Sequence, residues 1–74
     1  MNKEQATAIV ETLNDQGFLA LDDDLTVDEM VELVLKISSY QFTTEEIILS
    51  LHEFGHLCID DDQIKEVINL AESL

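Results

Sequence analysis

The sequence predicts an all-α fold of four short helices, arranged as two tandem helix–turn–helix repeats related by a pseudo-twofold axis. The 74-residue chain contains no proline and only two glycines, which favours helices with few breaks. Apolar residues recur at helical spacing in four segments. These segments form two similar halves, neither of which can bury its apolar stripe alone. We therefore expect one domain over residues 1–74, with repeat 1 at about residues 3–37 and repeat 2 at about residues 42–74.

The first predicted helix covers residues 3–15. Its apolar stripe consists of Ala6, Ile9, Val10 and Leu13. Gly17 follows at the position where a glycine commonly ends a helix, because glycine adopts a positive φ at little cost. Residues 18–21 are apolar but too few for a helix, so they predict a short extended segment.

The second predicted helix covers about residues 27–37. Thr26 and Glu29 have the spacing of a capping box, in which each side chain accepts a hydrogen bond from the other residue's backbone N–H. The preceding aspartates suit the positive end of the helix dipole. The inner stripe of this helix is Val27, Met30, Val31, Val34 and Ile37.

The second half repeats this order. Thr43 and Glu46 predict a capping box for a third helix at about residues 44–54, and Gly55 is predicted to end it. Residues 56–59 predict another extended segment, and Asp60 with Gln63 predicts the start of a fourth helix. The inner residues of these two helices are Ile47, Ile48, Leu51, Phe54, Ile64, Val67, Ile68, Ala71 and Leu74.

The repeat is clearest around the two turns. Residues 12–24 and 50–62 align at an offset of 38 with six identities, which include one glycine and three aspartates. After the aspartates the offset falls to 37. If the halves pack face to face, the two extended segments should meet as a short antiparallel pair.

Composition limits the function classes. Seventeen acidic and three basic residues give a net charge of −14, so the chain should repel nucleic acid and anionic lipid and attract basic surfaces. The 46% hydrophobic content excludes disorder. No apolar run approaches the roughly 20 residues of a membrane span, and no secretory signal is recognisable. With one cysteine, Cys58, a cytoplasmic location is expected.

The leading functional prediction is a small non-enzymatic module that binds a basic protein, either through general charge attraction or as a mimic of a polyanion. The partner-binding acidic face is predicted at the starts of the second and fourth helices. It consists of Asp22, Asp23, Asp24, Asp28, Glu29, Glu32, Asp60, Asp61, Asp62 and Glu66. Two alternatives are simple solubility and a homodimer, whose seam would include Leu33, Leu35, Tyr40, Phe42 or Leu49.

A zinc motif gives the minor alternative. The stretch His-Glu-Phe-Gly-His, which begins at His52, matches the pattern in which two imidazoles on one helix face bind zinc. It resembles the form found in the metzincin proteases, over twelve of the 74 residues. The resemblance implies zinc ligands at His52 and His56 and a general base at Glu53. That family's further glycine position is Ile59 here, and its third-ligand position is Asp62.

The repeat favours a structural interpretation of this stretch. His52 aligns with Asn14, and His56 aligns with Phe18, so the equivalent positions need no metal ligand. If Gly55 ends the helix, His56 also leaves the helix face that His52 occupies. We therefore expect no catalytic residue, no metal site and no cofactor. His52 and His56 are the candidate ligands only in the minor alternative of metal binding.

The two helix–loop–helix units also resemble a paired EF-hand domain, with Gly17 and Gly55 at the sixth loop positions and Leu19 and Leu57 at the eighth. The resemblance implies ligands at the first, third and fifth positions, which are Thr12, Asn14, Gln16, Ser50, His52 and Phe54. Because this set lacks carboxylates, the resemblance implies a form that does not bind calcium.

The sequence lacks the residue patterns expected for acyl carriage and for a nucleophilic cysteine. Residues 51–67 loosely resemble part of an acyl carrier protein, whose attachment serine follows an aspartate at a helix start, whereas Ser38 and Ser39 follow a helix end. Cys58 aligns with Ala20 and is predicted to be a small core residue rather than a nucleophile.

Overall fold

The computed structural model describes residues 1–21, 25–40 and 43–74. Within these ranges the chain is all-helical, apart from turns and isolated bridge residues, as the sequence predicts. The α-helices are α1 (Lys3–Asp15), α2 (Val27–Ser38), α3 (Thr44–Glu53) and α4 (Ile64–Glu72), and a 3₁₀ turn at Asp61–Gln63 leads into α4. None of the described helices has the length and apolarity needed to cross a membrane.

Reciprocal capping boxes start α1 and α3. At α3 the predicted pair is confirmed: Glu46 N–H donates to Thr43 Oγ1 at 3.2 Å, and Thr43 N–H donates to Glu46 Oε1 at 3.2 Å. At α1 the box is formed by Asn2 and Gln5, with distances of 2.8 and 3.0 Å. Each box satisfies backbone donors that the first turn of a helix leaves unpaired.

The start of α2 has a side-chain cap from one direction only, and at the start of the fourth helix Asp60 pairs with Gln63. Glu29 N–H donates to Thr26 Oγ1 at 3.3 Å, which places Thr26 at the N-cap of α2 as predicted. Asp60 N–H donates to Gln63 Oε1 at 3.1 Å. The helical turn therefore starts after Asp60, as predicted. This first turn is 3₁₀, and the α-helix α4 begins at Ile64.

Gly17 ends α1 in the predicted way. Its φ is +77°, in the left-handed region, and its N–H donates to Asn14 O at 3.0 Å. The next N–H, from Phe18, donates to Leu13 O at 2.9 Å. This pair of bonds is a Schellman motif, which satisfies two of the carbonyl groups left free at a helix C-terminus.

Gly55 ends α3 with the same geometry. Its φ is +80°, its N–H donates to His52 O at 3.1 Å, and His56 N–H donates to Leu51 O at 2.9 Å. The chain therefore leaves both helices through equivalent turns, 38 residues apart.

The segments after these two turns meet, as predicted. Leu19 and Leu57 form an isolated antiparallel β-bridge. Two main-chain hydrogen bonds flank it, from Cys58 N–H to Phe18 O (2.7 Å) and from Ala20 N–H to His56 O (2.9 Å). The bridge thus joins the two helical pairs through backbone atoms.

One hydrophobic core lies between the helices. Packing of α1 against α2 and of α3 against α4 is the most extensive, and the α1–α4 and α2–α3 contacts close the core. Every buried side chain among the described residues is apolar. These residues are Ala6, Ile9, Val10, Leu13, Met30, Val31, Val34, Ile37, Ile47, Ile48, Leu51, Leu57, Val67, Ile68 and Ala71.

Three predicted core residues are exposed instead. Phe54 is 67% exposed because α3 ends at Glu53, so Phe54 lies at the C-cap and outside the helical stripe. Leu74 is 58% exposed because α4 ends at Glu72. Cys58 is exposed because neighbours in an extended segment point to opposite faces, and Leu57 takes the buried one.

Candidate functional site

Acidic side chains cover the surface of the described part of the chain. Every aspartate and glutamate that the structure describes is exposed. Asp22, Asp23 and Asp24, which the sequence assigns to the partner-binding face, lie outside the described residues. The remaining acidic candidates therefore fall into two groups, one on α2 and one at the start of the fourth helix.

The α2 group lines a groove. Asp28, Glu29 and Glu32 project from the first two turns of α2 into a depression of about 330 Å³ between α1 and α2. Glu11 of α1 lines the same groove, and Lys3 is its one basic lining residue. The structure thus brings three predicted residues together and adds Glu11, which the sequence indicates only once α1 and α2 are known to pack side by side.

The second group follows the bridge. Asp60, Asp61 and Asp62 are exposed where the chain enters the 3₁₀ turn, and Glu66 is exposed in the first turn of α4. Carboxylates at these positions interact favourably with the positive end of the helix dipole. None of these four residues lines the groove between α1 and α2.

Asp61 also contacts a histidine. His52 Nε2 in the last turn of α3 lies 3.3 Å from Asp61 Oδ1, with the His52 side chain 26% exposed and that of Asp61 94% exposed. The other ring nitrogen, His52 Nδ1, is buried and has no hydrogen-bond partner among the described residues. An ion pair with so exposed a carboxylate contributes at most about 1 kcal/mol. The contact links α3 to the start of the fourth helix.

The helical geometry of the zinc motif is absent. Because α3 ends at Glu53 and Gly55 turns the chain, His56 does not share a helix face with His52. The His56 ring instead lies against Phe54, with ring centroids 6.4 Å apart and an interplanar angle of 55°. Within residues 1–21, 25–40 and 43–74, no three His, Cys, Asp or Glu residues are grouped as a metal site requires.

A second groove was not predicted from the sequence. It lies between the first turns of α1, the start of α3 and the end of α4, and its volume is about 490 Å³. Ala8, Ile9 and Ala71 are among its apolar lining residues, and Glu4 and Glu72 are its acidic ones. The sequence carries no signal for this groove, because its walls come from helices that are distant along the chain.

Comparison with protein-family models, with curated proteins and with solved structures found no match for this chain.

Proposed function

We propose that this protein is an acidic, non-enzymatic interaction module that binds a basic protein surface. The observation that carries the proposal is negative charge that no nearby lysine neutralises among the described residues. All described carboxylates are exposed, and among the described residues the one short contact between a carboxylate and a basic side chain joins Asp61 to His52, which the net charge counts as neutral. No lysine therefore neutralises a described carboxylate at short range, and the net charge of −14 acts outward on a partner.

The α2 groove is the most concentrated part of the proposed face. Four carboxylates line it against a single lysine, so a lysine or arginine of the partner gains several favourable interactions there. The full face comprises Asp22, Asp23, Asp24, Asp28, Glu29, Glu32, Asp60, Asp61, Asp62 and Glu66. A narrower form of the proposal is mimicry of a polyanion, in which these carboxylates occupy the place of phosphates.

We also propose that the two halves are copies of one helix–turn–helix unit, related by a pseudo-twofold axis. Three features support the duplication: the equivalent turns at Gly17 and Gly55, the Leu19–Leu57 bridge, and its flanking hydrogen bonds. Shifting one flanking bond by 38 residues in each partner gives the other bond.

The charge mechanism is testable with a synthetic lysine–serine peptide. Its affinity should fall steeply between about 0.01 and 0.15 M salt, because the Debye length shortens from about 30 to about 8 Å. The triple variant Asp28→Asn, Glu29→Gln, Glu32→Gln should lose more affinity per charge removed than a control that removes carboxylates elsewhere on the surface. Titration by calorimetry measures both effects.

The matched control is Asp15→Asn, Glu53→Gln, which removes two exposed carboxylates that lie outside the proposed face and line neither groove. Equal losses per charge removed in the two variants would show that only the overall field acts and that the α2 groove is not a site. Affinity that does not change with salt would contradict the electrostatic mechanism itself.

A homodimer is the second candidate, favoured by exposed apolar side chains. Leu49 is 42% exposed and Tyr40 is 65% exposed, whereas Leu33 and Leu35 are half-buried. The fifth predicted seam residue, Phe42, lies outside the described residues. Light scattering over a range of protein concentrations separates this candidate from a monomeric module.

A further inference from the structure

The groove between α1, α3 and α4 has an apolar floor. Ile9 and Ala71 are buried at its base, and the exposed Ala8 presents only a methyl group to it. The depression is partly open to solvent and has a volume of about 490 Å³. It is therefore large enough for an aliphatic side chain of a partner.

The edge of the same groove is acidic. Glu4 and Glu72 line it directly, and Glu45 lies with Glu72 in an adjoining depression. Among the described residues that line these two depressions there is no lysine or arginine. A partner segment that is aliphatic at the centre and basic at the margins would complement this lining, to which Gln5, Thr43 and Thr44 also contribute polar groups.

We propose that this groove docks a basic amphipathic segment of a partner protein. One aliphatic side chain of the segment inserts between Ala8 and Ala71, and its lysine or arginine residues approach Glu4, Glu45 and Glu72. This docking proposal rests on the proposed function, which supplies the expectation that the partner is basic. It adds a specific surface at which that partner docks. A second copy of this chain does not fit the margins, because it carries the same net charge of −14.

The two surfaces would contribute differently to binding. Contacts between exposed charges raise the association rate and weaken with salt. An apolar anchor in a pocket supplies affinity that persists in salt, and it selects partners by side-chain shape. The groove would therefore allow an otherwise general acidic surface to discriminate between basic partners.

The test uses two synthetic peptides of equal length and equal positive charge. One is a lysine–leucine peptide with helical periodicity, and in the other every leucine is replaced by serine. Each peptide is titrated into ¹⁵N-labelled protein while backbone amide shifts are followed. We expect both peptides to perturb the amides of Asp28, Glu29 and Glu32. Only the leucine peptide should perturb those of Ala8 and Ala71, and it should bind about tenfold more tightly or better.

A variant that fills the groove gives an independent check. Ala8→Trp should reduce the affinity for the leucine peptide to that for the serine peptide. Asn69→Trp is the matched control, since Asn69 is exposed in α4, outside the lining of either groove, and it should leave the difference intact. Circular dichroism verifies that both variants are folded. If Ala8→Trp does not fold, the amide shift changes in the unmodified protein decide whether the leucine peptide occupies the groove.

The possible outcomes separate the two proposals. If the leucine peptide perturbs no groove amide, the docking surface is wrong although charge-driven binding can still be right. If groove amides shift while those of Asp28, Glu29 and Glu32 do not, the docking surface is supported and the acidic face of the proposed function is wrong. If neither peptide binds, both proposals are wrong.

Discussion

Gly17 and Gly55 each set the direction of the chain through a single backbone angle. Their φ values of +77° and +80° lie in the region that side chains with a Cβ rarely adopt. No heavy atom beyond the adjacent residues lies within 4 Å of a Cβ built at either position. Substitution there strains the backbone without creating a steric clash.

We predict that Gly55→Ala lowers the free energy of unfolding by about 1 kcal/mol, because the left-handed conformation costs a residue with a Cβ roughly 1 to 2 kcal/mol. Gly17→Ala should cost a similar amount, since the two turns have the same hydrogen bonds. Urea unfolding followed by circular dichroism measures both changes. Gly55→Asn is the control and should lose less, because asparagine tolerates this conformation better. Unchanged stability in both alanine variants would contradict this account of the turns.

The burial of Phe54 and of Cys58 could not be predicted from the sequence. Helical spacing from Leu51 assigns Phe54 to the inner stripe, but the turn at Gly55 places it at the C-cap, where it is exposed. Alignment with Ala20 predicts that Cys58 is a small core residue, but both residues are exposed. An alignment of the two halves compares residue types, but only packing decides which face of the chain a residue takes.

The helix starts were predictable because their signals are local. A capping box needs two side chains three residues apart, so Thr43 with Glu46 and Thr26 with Glu29 can be recognised without any tertiary information. The two grooves were not predictable, because each depends on how helices distant in sequence approach one another. The sequence therefore indicated the acidic residues of α2 but not the contribution of Glu11 to their groove.

We predict that Thr43→Ala destabilises the protein by about 1 kcal/mol, because it removes the side chain that accepts the Glu46 N–H bond. For a domain of this size, that loss corresponds to a fall in melting temperature of about 4 to 8 °C. Thermal unfolding by circular dichroism measures it. Thr43→Ser retains the hydroxyl and should remain close to the unmodified protein. If the serine and alanine variants melt together, the capping bond does not stabilise α3.

At the scale of the whole molecule, like charges surround a small apolar core. The buried side chains that the structure describes are apolar, and the described carboxylates are all exposed. Self-repulsion among these carboxylates opposes compaction, because it is weaker in the expanded unfolded chain. The same charge distribution that favours a basic partner therefore reduces the stability of the free protein.

We predict that added sodium chloride raises the free energy of unfolding, with most of the gain between about 0.01 and 0.15 M as the Debye length shortens. Urea is the appropriate denaturant, since guanidinium would itself screen the charges. The triple variant Asp28→Asn, Glu29→Gln, Glu32→Gln should gain less from salt than the unmodified protein. A urea midpoint that stays constant or falls with salt would mean that self-repulsion is not a significant term.

The bridge between the two turns has a consequence for how freely its sequence can vary. Ala20 and Cys58 are exposed and contribute their backbone N–H groups, at 2.9 and 2.7 Å from their acceptors. Any residue except proline supplies that donor, so these two positions can drift while the junction persists. Leu19 and Leu57, which are more buried, are restricted to apolar residues. Distant relatives could therefore keep the junction while losing recognisable similarity along it.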